Sequence, residues 1–305
     1  MSLEILKKRI QTTTDLKEIV TTMKTLSSAS VGQYEKALLS LYQYGQTVKA
    51  GFNGLTRAEF FTYQPAKIRE DPNVLAVVIG SDNGLVGRFN RDLMTFTVQT
   101  LNNLYPKGQK HILAIGKRIG LLAPLYHLHT ENTYSLSNSV KEISIISGII
   151  LTKIHELIAK KHVDVVYLFF NQRQGNTAFI SDYLQVIPLP PEQFSNVKKE
   201  KWNGRMAPLI TADKDALFQA LVREYLVVVL AHALTSSLAS EHYTRMMHMQ
   251  EAERNINDSL TAFNLEYQQL RQNQITDELI DIVSGAEQIN KQKNQSPLDF
   301  SQKTG

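Results

Sequence analysis

The sequence predicts an α/β protein in which a long antiparallel coiled coil, built from the N- and C-terminal helices, brackets an inserted α/β domain. Three observations lead there. No Gly or Pro occurs between Leu209 and Ser284, and none occurs before Gly32. Between these two stretches, short apolar runs alternate with helix-like segments.

Taking the elements in order, Leu3, Leu6, Ile10, Leu16, Val20 and Met23 recur at helical spacing and define an N-terminal helical segment, placed at residues 1–60. Gly45, Gly51 and Gly54 then punctuate the chain, and Pro65 and Pro72 introduce a different texture. Val74 to Ile79, Ile112 to Ile115 and Val163 to Phe170 are strand candidates, with helix-like stretches at Arg91 to Leu104 and Lys141 to Lys161 between them. Such alternation predicts a Rossmann-like α/β sheet domain over residues 73–205. The Gly/Pro-free stretch Leu209 to Ser284, roughly 110 Å long at 1.5 Å per residue, predicts one helix, placed at residues 209–290. Its apolar positions Met246, Met249, Ile256, Leu260, Phe263, Tyr267 and Leu270 follow a coiled-coil seam. After a five-residue step the stripe resumes at Ile275, Leu279, Ile282, Ala286 and Ile289. Residues 291–305 are polar and are expected to form a flexible tail.

Composition narrows the function. The 305 residues carry 33 basic and 29 acidic side chains, a formal charge of +4 and a pI near 9.0. The charges are interspersed, which argues against a nucleic-acid groove. Without cysteine there is no disulfide, thiolate nucleophile or Cys-ligated zinc. The opening MSLEILKKRI lacks the apolar core of a signal peptide, and the longest apolar run, Tyr225 to Leu234, is short for a bilayer. A soluble protein is expected, reaching a membrane only through partners.

A search for chemistry returns little. In IGSDNGLVGRFN the glycines Gly80, Gly84 and Gly87 follow a strand candidate, but GxxxGxxG is neither a dinucleotide fingerprint nor a P-loop. A turn in which Asp82 or Asn83 bonds its own backbone explains the segment more simply. His155 and Glu156 begin an HExxH pattern that is not completed. His127 and His129 could line one strand face, without an evident carboxylate beside them, and His232 is expected to sit neutral on a packed helix face. Ser195 to Lys198 matches SxxK by chance. No catalytic residue, cofactor site or metal site is assigned.

Two segments carry a specific resemblance. SEHYTRMMHM at Ser240 to Met249 and LRQNQITDELIDIVSGA at Leu270 to Ala286 resemble the C-terminal signature of F-type ATP synthase gamma subunits, with SDNGLVGRFN standing where that family has SDRGLCGGFN. The resemblance covers nearly the whole chain, most strongly at its two ends and weakly from Asn103 to Ala239. It implies a non-catalytic central rotor stalk coupling ion-driven c-ring rotation to ATP synthesis or hydrolysis at alpha/beta sites. The implied partners are the alpha and beta subunits, epsilon and the c-ring, at the cytoplasmic face of a bacterial or archaeal inner membrane. Met23, Arg245, Arg271, Gln272, Thr276 and Glu278 are the subunit contacts that it implies. Two features depart from the family. EIVTTMKTLSSAS carries fewer cations around Met23 than the usual run, and an FEP element is absent unless Pro208 is its remnant. A divergent branch, such as the alternative sodium-type enzymes, has this character. The competing reading is a nucleotide- or small-molecule-binding α/β protein with coiled-coil extensions.

Overall fold

A computed structural model describes residues 2–57, 66–136, 139–175, 177–190, 210–211 and 213–294. Pro65, the Ser195 to Lys198 segment and Pro208 lie outside them, as does the chain beyond 294.

The N-terminal helix α1 runs Leu3–Arg57. The inserted domain follows as β1 (Val74–Ile79), α2 (Phe89–Leu104), β2 (Lys110–Ile115), α3 (Lys117–Leu122) with a 3₁₀ turn at Ala123–Tyr126, β3 (His129–Tyr134), α4 (Val140–Lys161), β4 (Val165–Gln174) and β5 (Thr177–Ile187). The C-terminal helix α5 spans Lys214–Asn294. The strands form one sheet in the order β3-β2-β1-β4-β5, with β5 antiparallel to β4 and every other pairing parallel. This is a doubly wound sheet with an antiparallel edge strand, as the alternation of elements predicts. β3 (HTENTY) escapes a search for apolar runs because its residues are polar and half-exposed, and β5 (TAFISDYLQVI) because polar residues interrupt its apolar ones, as edge strands allow.

The sheet is buried on both faces, and β1 is inaccessible along its whole length. On one face α2 and α3 pack Leu93, Met94, Leu101 and Ile119 against Val74, Ala76, Val78 and Phe169. On the other, Ile150, Ile154 and Leu157 of α4, Leu230 and Leu234 of α5 and Tyr34 of α1 cover Leu75, Val77, Ile79 and Leu168. By length and composition alone α5 could cross a membrane. Of its most apolar segment 33% is buried, and Leu226, Val228, Leu230, Leu234 and Leu238 of this helix are buried.

Two compact units divide the chain: residues 23–249, which include the sheet, and residues 1–22 with 250–305. In the second unit the two helices run antiparallel, with Thr21 donating to Glu253 at 2.9 Å and the Arg9 guanidinium 4.6 Å above the Phe263 ring. In the first, Tyr34 stacks on His242, Tyr44 donates to Glu224 and Phe52 meets Phe218 edge-on, again stepping in opposite directions along α1 and α5.

The buried face of α1 differs from its apolar spacing. Buried Leu6, Ser27, Val31 and Tyr34 and half-buried Ile10, Thr13, Lys17, Val20 and Lys24 form one stripe with alternating steps of three and four. Leu16 is 50% exposed and lies off this seam, and Met23 is half-buried beside it. Polar residues at four seam positions hide the heptad from a search for apolar residues. Nor do the glycines of α1 break it. Gly45 sits in the seam against Val228, and a Cβ on Gly51 would come within 2.7 Å of Leu221. They allow close approach of α1 to α5 rather than punctuating the chain. Gly285 likewise lies inside α5. A glycine in a helix interior costs about 1 kcal/mol, which so long a helix absorbs.

Leu6 and Leu16 separate the two descriptions of α1. Leu6→Ala, at a fully buried seam position, is expected to lower stability by about 2–5 kcal/mol. Leu16→Ala should stay within about 0.5 kcal/mol, as exposed substitutions do. Denaturant unfolding of the two variants measures both, and equal losses would return Leu16 to the seam.

Candidate functional site

In a doubly wound sheet the crevice for a ligand opens at the carboxyl ends of the strands where the winding reverses. Here that point lies between β1 and β4, and the chain's own polar groups fill it. After β1, the Ser81 N–H donates to Asn90 Oδ1 at 2.9 Å, and Asn90 Nδ2 donates back to Ser81 Oγ at 2.8 Å. From β4, Asn171 Nδ2 donates to the Phe89 carbonyl at 3.1 Å. A Cβ on Gly80 would lie 2.3 Å from Ile119 and 2.5 Å from Asn90, so the loop is already in contact where a phosphate would need its backbone.

The turn reading of this loop is right in kind and wrong in its partners. Asp82 does not bond its own backbone. Its Oδ1 accepts from the Lys117 N–H at 2.8 Å, and its Oδ2 accepts from the Leu136 N–H at 3.1 Å and from Ser135 Oγ. One carboxylate thus ties the β1 loop to the start of α3 and to the chain leaving β3. Such long-range partners are not legible in a local motif.

α5 closes the crevice from above. Its TSSLASEH stretch is small and hydroxylated, which lets the helix approach the strand ends. Ser237 donates to the Ile79 carbonyl at 2.9 Å, and Ser240 reaches the Asn171 carbonyl at 3.4 Å. One turn on, Arg245 donates to Glu241 at 2.5 Å and to the Gly84 carbonyl at 3.4 Å. Glu241 and Arg245 are 2% and 5% exposed, so this i,i+4 pair is a buried one. Gly87, at φ +55°, lies so near His248 that a Cβ would meet its ring at 2.6 Å. Arg173, at the end of β4, pairs with Glu35 of α1 and stacks 4.0 Å over Tyr243 of α5. The resemblance-bearing motifs SDNGLVGRFN and SEHYTR therefore meet and hold one another.

Burial sets the protonation here. It drives the Glu241 carboxyl up to about 7, with nearby Asp82 adding to the rise and Arg245 opposing it. Burial and the Arg245 charge push His242 down to about 4, so the ring is neutral, and neither nitrogen has a hydrogen-bond partner. Tyr34, stacked on His242 at 5.4 Å, is pushed up to about 12 by burial and then by Glu241. His232 is likewise lowered by burial, consistent with a neutral ring on a packed helix.

The remaining histidine expectations divide. His127 caps the 3₁₀ turn with φ +56° and is not on a strand. His129 opens β3, and it does have a carboxylate: Glu131, at 4.0 Å, which binds His111 of β2 more closely at 2.7 Å. Glu156 is engaged by Lys153 and Lys160. Among the described residues no group of three or more His, Cys, Asp or Glu could hold a metal ion.

Of the six expected subunit contacts, Arg245 is buried in the joint just described and Met23 is half-buried on α1. Arg271, Gln272, Thr276 and Glu278 are exposed on α5, where Thr276 Oγ1 bonds the Gln272 carbonyl of its own helix at 2.9 Å. Around them Ile275, Leu279, Ile280, Ile282 and Val283 stand 48–68% exposed. Past Leu270 the seam ends, as the five-residue step anticipates.

A family model described as ATP synthase matches residues 2–289. The chain belongs to that family. Among its curated relatives, an ATP synthase gamma chain from Christiangramia forsetii is 27% identical, with 95% of this chain and 99% of the relative covered. One from Hyphomonas neptunium is 28% identical, covering 94% and 99%. Among solved structures, a chain of the Euglena gracilis mitochondrial ATP synthase OSCP/F1/c-ring assembly superposes with a TM-score of 0.63 at 14% identity, covering 99% of both chains. A chain of the Tetrahymena thermophila mitochondrial ATP synthase central stalk/c-ring gives 0.51 at 19% identity, with 77% and 99% covered. At these identities the structural likeness is one of fold.

The buried pair Glu241 and His242 of this ATP synthase family chain has opposed linkage to pH. The raised Glu241 contributes stability that is full below its unfolded value of 4.5 and is lost as pH rises through about 7. The lowered His242 contributes stability that is full above 6.5 and is lost as pH falls toward about 4. Glu241→Gln removes the first effect and leaves the second. The variant is therefore expected to lose on the order of 2 kcal/mol more than wild type between pH 7 and pH 5. Denaturant midpoints across that range measure it, and parallel curves would contradict it.

Proposed function

We infer that the chain is the gamma-type central stalk subunit of an F-type ATP synthase, coupling rotation of an ion-driven ring to ATP synthesis or hydrolysis at sites on other subunits. The observation that carries this reading is the family match over residues 2–289, together with the exposure of the segment that resembles the family most closely. Arg271 to Val283 presents charged, amide and large apolar side chains together, all of them exposed, on a stretch whose side-chain bonds, Gln274 to Glu278 and Thr276 to the Gln272 carbonyl, stay within the helix. Apolar exposure of this extent favours a protein contact.

The partners proposed are the alpha and beta subunits around α5 and the start of α1, with epsilon and the c-ring at the α/β domain. Membrane association is proposed to be peripheral, through the complex, at the cytoplasmic face of a bacterial inner membrane. Arg271, Gln272, Thr276 and Glu278 are the proposed contacts with the catalytic ring, and half-buried Met23 is proposed to touch it from α1. Arg245 is proposed to act from inside, by fixing the β1 loop on α5. The three-segment organisation of N-terminal helix, α/β domain and C-terminal helix is proposed as the functional division, with torque passing along the helices.

The competing nucleotide-binding reading has a specific observation against it, since Asn90, Asn171, Ser237 and Ser240 occupy the crevice. The purified chain is expected to show no stoichiometric, Mg²⁺-dependent ATP hydrolysis. Turnover by the chain alone would overturn the non-catalytic role.

The contact proposal is tested in the assembled complex. Gln272→Ala with Thr276→Ala is expected to lower ATPase turnover severalfold while the subunit still folds and incorporates, each lost hydrogen bond counting about 1 kcal/mol. Turnover equal to wild type in a complete complex would assign these residues to a solvated face.

A further inference from the structure

Away from the crevice, α1, α5 and the last two strands leave two cavities between them, and His232 of α5 lines both. The first, about 410 Å³, has carbon-rich walls: Leu41, Val48 and Phe52 from α1, and Tyr225, Val228 and Val229 from α5. Tyr42, 61% exposed, borders it as well, so the cavity meets solvent on that side. The second, about 380 Å³, is polar, with Glu35 of α1, Gln172 and Arg173 of β4 and Ser236 of α5 around it. Leu38 of the polar cavity and Leu41 of the apolar one are three residues apart on α1, and Val229, His232 and Ser236 follow at steps of three and four on α5. The two cavities therefore lie end to end along one helix face. Each has the volume of a small-molecule site, about 300–1,000 Å³.

The polar end holds donors that the chain does not use. His232 has no hydrogen-bond partner among the described residues, and burial lowers its pKa, so at neutral pH the uncharged ring offers one N–H. Ser236 is 5% exposed, and its hydroxyl is likewise unpartnered among the described residues. Arg173 gives only Nη1 to Glu35; its Nε is buried without a partner, and its guanidinium lies 4.0 Å over the Tyr243 ring. Glu35 is 52% exposed and can keep Nη1 while Nη2 takes a second acceptor. The Gln172 amide already donates to Asp182. Protein interiors rarely leave such donors empty.

We propose that the two cavities form one binding site for an amphipathic monocarboxylate, with its hydrocarbon chain in the apolar cavity and its carboxylate held by the Ser236 hydroxyl, the His232 N–H and Arg173 Nη2. An ionised carboxylate only accepts hydrogen bonds, which matches a subsite whose free groups are donors beside a guanidinium. A purely apolar guest would leave those donors empty, and a small hydrophilic anion would leave the carbon walls wet. The bound molecule would bridge α1, α5 and β4. The site belongs to the chain alone and needs no assembly with other subunits.

Calorimetric titration of the full-length chain with laurate, below its micelle concentration, is expected to show a single saturable site. Dodecanol keeps the tail without the charge, and acetate keeps the charge without the tail. Each should bind about tenfold or more weakly than laurate, the scale of a hydrogen bond to a charged group or of several buried methylenes. Ser236→Ala should weaken laurate about tenfold and leave dodecanol unchanged. Gly45→Leu grows into the apolar cavity from α1, where a Cβ meets only Val228 at an ordinary 3.5 Å, and should abolish binding of both. The proposal is overturned by the absence of saturable binding, by dodecanol binding as tightly as laurate, or by laurate binding that neither variant changes. That last result is what adsorption to the exposed apolar residues from Ile275 to Val283 would give. If Gly45→Leu fails to fold, methyl NMR of wild type decides: saturating shifts at Val228 and Val229 sustain the site, and their absence ends it. The measurement is made on the free chain, so its failure would leave the stalk reading standing.

Discussion

Everything around the β1 loop depends on how closely α5 can approach the carboxyl ends of β1 and β4. A helix crossing the ends of parallel strands lies over backbone carbonyls, and leaving one buried and unpaired costs about 1–3 kcal/mol. The stretch Thr235 to Ser240 resolves this with short hydroxylated side chains. Ser237 satisfies Ile79 and Ser240 satisfies Asn171, while Leu234 and Leu238 keep the helix in the core. Larger residues would lift α5 off the sheet and withdraw Arg245 from Gly84. The small-residue turn comes first, and the ion pair is built on the contact that it permits.

Filling the crevice in this way redirects a fold otherwise suited to ligands. The doubly wound topology and the glycine-bearing loop after β1 are the usual setting for a phosphate site. Here Asn90 takes the Ser81 N–H, Ile119 presses on Gly80 and Asp82 puts a negative charge on the loop. The same architecture that elsewhere holds a nucleotide becomes the socket for a long helix, which suits a subunit whose work is mechanical.

A buried Glu–Arg pair is a weak source of stability, because desolvating two charges can cost as much as their attraction returns. Its value here lies in position. Glu241, His242, Arg245 and Tyr34 fix which faces of α1 and α5 meet and which loop they hold. Burial shifts the protonation of Glu241, His242 and Tyr34. In the other unit, α5 past Leu270 has no seam to occupy, so the apolar residues from Ile275 to Val283 stay exposed.

The sequence by itself determined the long helices, the central strands and the family. These rest on local signals: absence of Gly and Pro over long stretches, the fully apolar run Val74 to Ile79, and fixed spacings in SEHYTR and RQNQIT. The edge strands β3, which is polar, and β5, whose apolar residues are interrupted by Ser181, Asp182 and Gln185, gave no such signal, since half-exposed positions tolerate polar residues. The α1 heptad was hidden by Thr13, Lys17, Lys24 and Ser27, whose long or hydrogen-bonding side chains can line a seam without being apolar. Only the tertiary structure decided that Asp82 binds Lys117 and Leu136, that His111 shares Glu131, and that Arg245 is buried against Gly84. Each joins residues far apart in the chain, and hydrogen-bond partners at such separations are chosen by packing rather than by neighbouring residues.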